Sequence, residues 1–215
     1  MKASTMAICK NLAVRYPDLQ SCEEAVIQAV GTLIQSYKEG GKLLVCGNGG
    51  SASDSLHIVG ELMKSFVAHR PLSLEKQKAL RAACGPRADY YIENLEGALP
   101  AIALVSESAL TTAYMNDKEP DLCFAQQVAG IGKKGDVLIA ISTSGNSTNV
   151  LYAADVARAL GVHVIALSGR DGGRLKALGD INIVVPETET YKIQERHLPI
   201  YHCLCLAVEN EFFGA

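Results

Sequence analysis

Two segments of this chain are variations on one device. Residues 43–51 read Leu-Leu-Val-Cys-Gly-Asn-Gly-Gly-Ser, and residues 137–147 read Val-Leu-Ile-Ala-Ile-Ser-Thr-Ser-Gly-Asn-Ser. Each is an apolar run of strand length, then a Gly/Asn/Ser/Thr loop, then a helical pattern. A strand that feeds such a loop into a helix N-terminus builds an anion site, because unpaired N–H groups converge where the helix dipole favours negative charge. Neither loop is a GxGxxG, and neither has the Lys of a Walker loop, so dinucleotides and nucleoside triphosphates are poor fits. The second loop carries four hydroxyls, Ser142, Thr143, Ser144 and Ser147, and no nearby cation. A capping role would account for one of them, not four. The set suits a phosphomonoester on a small polyol, held by neutral donors. In the first loop glycine alone would make a tight turn. Asn48 adds a side chain where sugar hydroxyls would lie.

The rest of the chain must position these loops. At 215 residues and 48% hydrophobic content it has ample material for one core. A net charge of −3 and a pI near 6.0 leave no electrostatic footprint for nucleic acid. No apolar run approaches membrane-spanning length, and the first residues do not read as a signal peptide. The seven cysteines are irregularly spaced and form no CxxC. They read as reduced, in a cytoplasmic protein.

Strands are expected at about 42–46, 100–105, 136–141, 162–167 and 181–185. Most are continuous apolar runs, as in parallel strands buried on both faces. Helical patterns at about 51–67, 107–115, 119–130, 147–160 and 172–178 separate them. A capping box at Ser21-Cys22-Glu23-Glu24 opens an earlier helix reaching to about Tyr37. The alternation predicts an open α/β parallel sheet, with ligands at the carboxyl ends of the strands. A last helix spans about 191–212, with Leu198, Tyr201, Cys205 and Val208 in one stripe of a wide apolar arc. Such an arc predicts contact with both the sheet and another subunit. Residues 1–40 form an N-terminal helical segment. Residues 70–98, dense in charge and broken by Gly85-Pro86, read as a helical insertion, either a solvated decoration or a lid or oligomer contact.

Four segments together, Cys-Gly-Asn-Gly-Gly-Ser-Ala-Ser-Asp at 46–54, Leu-Ile-Ala-Ile-Ser-Thr-Ser-Gly-Asn-Ser at 138–147, Ala-Leu-Ser-Gly-Arg-Asp-Gly-Gly at 166–173 and Lys-Ile-Gln-Glu-Arg-His at 192–197, resemble the sugar isomerase (SIS) domain. Within it the chain is similar to the sedoheptulose 7-phosphate, or phosphoheptose, isomerase family. The resemblance covers nearly all of the chain except 70–98. It implies a single SIS domain over 1–215, with a five-stranded parallel sheet flanked by helices. It also implies a homotetramer with active sites at subunit interfaces. The reaction implied is aldose–ketose isomerisation of sedoheptulose 7-phosphate to D-glycero-D-manno-heptose 7-phosphate, for ADP- or GDP-heptose supply. Two alternatives stay open: an isomerase of another phosphosugar, and a non-catalytic SIS module that binds a protein partner, as relatives binding the initiator DnaA do.

By the same resemblance, Asn48, Gly49, Gly50, Ser51, Glu61, Asn116, Asp117, Ser142, Thr143, Ser144, Ser147 and Gln194 contact substrate. His57, Glu61, Gln194 and His202 hold one zinc ion per subunit. The chain departs from the family pattern in its insertion and at Lys64-Ser65, where many isomerases carry Arg.

The chemistry supports these roles. Isomerisation through a cis-enediol needs a base for the carbon-bound proton and an acid or metal for charge on oxygen. His57 and Glu61 are four apart, one helical turn, and so share a face. Gln194 and His202 are eight apart, about 80° around a helix. Glu61 is assigned as base and His202 as its acid partner. His197, about 140° from His202, reads as a core or subunit contact. Two imidazoles, a carboxylate and an amide oxygen make a tetrahedral zinc set.

Overall fold

The computed structural model describes residues 1–214. Helices α1 (Ala3–Arg15) and α2 (Glu23–Lys38) lead into strand β1 (Leu43–Cys46) and helix α3 (Gly50–Met63). Helices α4 (Leu74–Cys84) and α5 (Ala88–Asn94) precede β2 (Ala101–Ala103), α6 (Ser108–Asp117) and α7 (Cys123–Ile131). Strand β3 (Val137–Ile141), α8 (Thr148–Ala159), β4 (His163–Gly169), β5 (Ile181–Val185) and α9 (Thr190–Phe213) complete the chain. The five strands form one sheet in the order β2-β1-β3-β4-β5. Every pairing is parallel, as the continuous apolar runs predict.

Side-chain alternation splits each strand between two cores. Leu43, Val45, Ile139, Ile141, Ile165 and Leu167 face α2, α3 and α9. Leu44, Cys46, Leu138, Ala140, Val164 and Ala166 face α7 and α8. The result is three layers, with both loops at the carboxyl ends of neighbouring central strands.

Several local expectations are corrected. Ser21 does not cap α2. It lies in a 3-10 turn (Pro17–Cys22) that runs straight into the helix, and no side-chain cap bond forms. A capping residue needs extended backbone, which a helical approach denies. Helix α3 stops at Met63 rather than about 67, because Phe66, Val67 and Ala68 give their N–H groups to the Glu209 carboxylate instead. The helix expected over 172–178 is one 3-10 turn, Arg174–Ala177, after two left-handed glycines. In α9 Tyr201, Cys205 and Val208 are buried as expected, whereas Leu198, on the same stripe, is 41% exposed within one chain. Residues 70–98 contain α4 and α5, closed at the base by a Pro71–Glu96 bridge, and no residue of α4 is buried.

Candidate active site

The first loop works through its glycines. Gly49 adopts φ 56°, the left-handed region, immediately before α3. A Cβ at Gly50 would lie 2.5 Å from Nε2 of Gln194, so Gln194 rests on the start of α3. No side chain caps this helix, which leaves its N-terminus open to a ligand.

The second loop is fixed from behind. Gly145 has φ 65°, and a Cβ there would collide with the Gly172 carbonyl. Leu175 N donates to the Gly145 carbonyl, and Asn146 braces both sides through the Ser144 carbonyl and Arg174 N. Ser147 occupies the N-cap of α8 but does not cap it. Its hydroxyl meets that of Ser142 at 3.0 Å. Ser142 is buried, and Thr143, Ser144 and Ser147 are partly exposed. Behind the loop, Arg170 Nε donates to the Thr188 carbonyl.

The two loops meet. Asn48 Nδ2 donates to Asn149 Oδ1 at 2.8 Å, and Asn149 Nδ2 donates to Asn48 Oδ1 at 2.9 Å. Asn116 and Asp117 behave differently. They end α6, exposed and bonded to each other, and among the described residues no hydrogen bond ties their side chains to either loop.

Glu61, His57 and His202 form a second cluster. His57 Nε2 is 3.2 Å from Glu61 Oε1, and His57 Nδ1 is 3.0 Å from the Tyr201 hydroxyl. The His57 and His202 rings stand edge to face at 5.1 Å. Lys64 places its ammonium 3.4 Å from Glu61 Oε2, so a cation still neighbours this carboxylate. His202 Nε2 is buried with no hydrogen-bond partner. Burial, then the nearby His57, holds the His202 pKa below its ordinary value. Beneath the cluster, burial pushes up the pKa of the Asp54 carboxyl and, with Asp54 adding to it, that of the Tyr201 phenol. A groove of about 170 Å³ between α1 and α9 reaches His202 past Asn11, Arg15 and Tyr16.

Helices α3 and α9 run side by side in the same direction. Gly50 pairs with Gln194, His57 with Tyr201, and Leu62, through Arg70, with Glu209. Gln194 therefore lies over Gly50, eight residues or about 12 Å along α9 from His202. One chain does not bring it to the other three expected zinc ligands. Among the described residues, no three His, Cys, Asp or Glu side chains converge as a metal site.

The comparisons with known proteins decide the family. A family model for the SIS domain matches residues 86–169. The chain is 42% identical to a phosphoheptose isomerase of Helicobacter hepaticus over 187 residues, covering 87% of this chain and 82% of that one. It is 38% identical to a phosphoheptose isomerase of Citrifermentans bemidjiense over 213 residues, covering 99% and 96%. The chain belongs to the phosphoheptose isomerase family. Among solved members, the Francisella tularensis phosphoheptose isomerase superposes with a TM-score of 0.75 at 33% identity, covering 91% of each chain. The Neisseria gonorrhoeae one gives 0.71 at 33% identity, covering 96% of this chain and 94% of that one.

Within this family architecture, three features lie outside the candidate residues named from the sequence. Asn149 lies two residues beyond the last loop hydroxyl. Asp54 precedes His57 and Glu61 at helical spacing, on the same face of α3. Arg70 and Glu209 make a buried ion pair at 2.7 Å, and Arg70 also donates to the Leu62 and Glu61 carbonyls. The helical spacing of Asp54 was visible in advance. Nothing in the sequence signalled a partner for Arg70, 139 residues away.

Proposed function

We propose that this chain is a phosphosugar aldose–ketose isomerase that converts sedoheptulose 7-phosphate to D-glycero-D-manno-heptose 7-phosphate. The observation that carries the reading is the survival of Glu61 and His202 in one cluster, in a member of the phosphoheptose isomerase family. The Glu61 carboxylate takes a proton from C1 of the ketose, leaving a cis-enediol. The Glu61 carboxyl so formed, whose proton exchanges with solvent, then protonates C2, while His202 moves a proton between O1 and O2. Asn48, Gly49, Gly50, Ser51 and Gln194 hold the sugar, with Asn116 and Asp117 at its edge. Ser142, Thr143, Ser144 and Ser147 hold the phosphate.

This assignment needs more than one subunit. Glu61 lies about 16 Å along α3 from Gly50. The Leu62 carbonyl accepts Leu99 N just before β2, so this end of α3 lies at the amino edge of the sheet, away from both loops. A seven-carbon phosphate, at ~1.5 Å per bond, spans only about 10 Å. The loops of one subunit therefore work with Glu61 and His202 of another, in a homotetramer of single-domain cytoplasmic chains. His57, Glu61 and His202 do not converge on a metal within one chain, so a zinc ion would draw them together, His202 through its unpartnered Nε2, as Gln194 joins from a neighbouring subunit. Bound there, zinc would polarise the sugar oxygens as a Lewis acid. Metal content after zinc loading, compared between the wild type and a His57→Ala/His202→Ala variant, tests this site. Equal content would remove it.

The deciding experiment is turnover of sedoheptulose 7-phosphate in D2O, with deuterium expected at C2 of the product. A purified protein that binds the sugar and gives no aldose refutes the reading. Mixed tetramers of Glu61→Gln and Ser144→Ala/Ser147→Ala chains should recover activity that neither parent shows. No recovery on subunit exchange would place each site within one chain.

A further inference from the structure

Asn48 and Asn149 come from different elements, 101 residues apart, and close on each other through two reciprocal amide bonds. Their position gives the contact meaning. From β1 the chain crosses to β2 on one side of the sheet, whereas from β3 it crosses to β4 on the other. The crevice between the ends of β1 and β3 is thus the topological switch point, where open parallel sheets bind ligands. The amide pair spans that crevice.

Burial does not explain the pair. Asn48 is exposed and Asn149 is only partly covered, so water could satisfy both amides. A primary amide offers two N–H donors and two lone pairs. The pair uses one of each per residue, which leaves Asn48 one N–H and one acceptor position for a ligand, while Asn149 keeps an acceptor position and turns its second N–H toward the Cys123 thiol. That is the complement of neighbouring sugar hydroxyls, each able both to donate and to accept. The two residues are not equivalent. Asn48 sits in a turn between Gly47 and left-handed Gly49, outside any helix or strand. Asn149 sits in the first turn of α8, two residues after Ser147, on backbone held by helix bonds.

We propose that Asn149 is a sugar-binding residue: it contacts a hydroxyl of the substrate with its free acceptor position and orients Asn48 to do the same. The inference deepens the phosphosugar reading of this crevice and rests on it. It separates two tasks, with the hydroxyl loop reading the phosphate and the amide clasp reading the carbon chain.

The test is calorimetric titration of the full-length protein with sedoheptulose 7-phosphate and, separately, with inorganic phosphate. Asn149→Ala should weaken sugar phosphate binding about tenfold, as the loss of its hydrogen bonds implies, and should change phosphate binding less than about twofold. Its thermal midpoint should match the wild type, since the side chain is not part of the core. Equal weakening for both ligands would mean that the substitution merely disturbs the phosphate loop, and would overturn the proposal. So would a variant that still favours sugar phosphate over phosphate as strongly as the wild type does. A wild type that binds sugar phosphate no better than phosphate would overturn both this inference and the reading beneath it.

Discussion

The two ends of α3 hold their functional groups by opposite physical means. At the amino end everything is neutral and open: an uncapped helix start, glycines, hydroxyls and paired amides. At the carboxyl end charge is buried and locked. Arg70 is fully buried against Glu209 and, through Glu209, anchors the turn that terminates the helix. Burial alone would push the Glu209 carboxyl up, but three backbone N–H groups and Arg70 outweigh it and hold it below the usual range. The difference matches the tasks proposed for the two ends. A phosphate brings its own charge and needs preorganised donors. A base that must remove a carbon-bound proton needs fixed geometry and partly shielded surroundings.

The comparison can be broken most directly at Glu61. Glu61→Gln should lower kcat about 100- to 10,000-fold and leave binding at the loops intact. Near wild-type turnover would move the base elsewhere. Next in size is the buried pair. Arg70→Ala or Glu209→Ala should each cost about 3–5 kcal/mol of stability, because each strands the opposite charge. A joint Arg70→Met/Glu209→Leu replacement should cost less than either, as read by urea unfolding. If the single variants unfold like the wild type, the locked end is not locked.

Between the two ends, α9 carries His197, fully buried, with its Nε2 3.3 Å from the Ser168 carbonyl. Burial pushes its pKa down to about 4. The unfolded chain therefore binds more protons than the native one between about pH 6.5 and 4. Stability from this group is complete above pH 6.5 and declines as pH falls toward 4, by about 3 kcal/mol at most. His197→Gln should flatten that decline in urea midpoints measured from pH 7.5 to 4.5, and an unchanged slope would assign it to other groups. The smallest effects belong to the open end. Ser144→Ala and Ser147→Ala should each weaken phosphosugar binding by about 1.5–3 kcal/mol, with no change in thermal midpoint. Intact affinity in the double variant would place the phosphate elsewhere.

The open end was legible in the sequence, and the locked end was not. Both loops declare themselves locally, since an apolar strand, a left-handed glycine and an uncapped helix start follow from neighbours in the chain. The His57–Glu61 pair was equally local, one turn on one helix. That Gln194 and His202 of one chain stand apart was not legible, because angular position around a helix says nothing of axial distance and eight residues of α9 separate them. Arg70 looked like the edge of a decoration, because a charge beside a proline normally reads as surface.

The sequence by itself determined the strands, the two loops, the parallel sheet and the identity of the polar residues. These follow from hydrophobic period and from backbone preferences that act over a few residues. Only the tertiary structure decided which of those residues meet. The parallel alignment of α3 with α9 placed Tyr201 and His202 at His57 and left Gln194 at Gly50. The pairing of β1 with β3 brought Asn149 to Asn48. Such meetings depend on the register between packed elements far apart in the chain, and side-chain volume across two cores sets that register, not any local pattern.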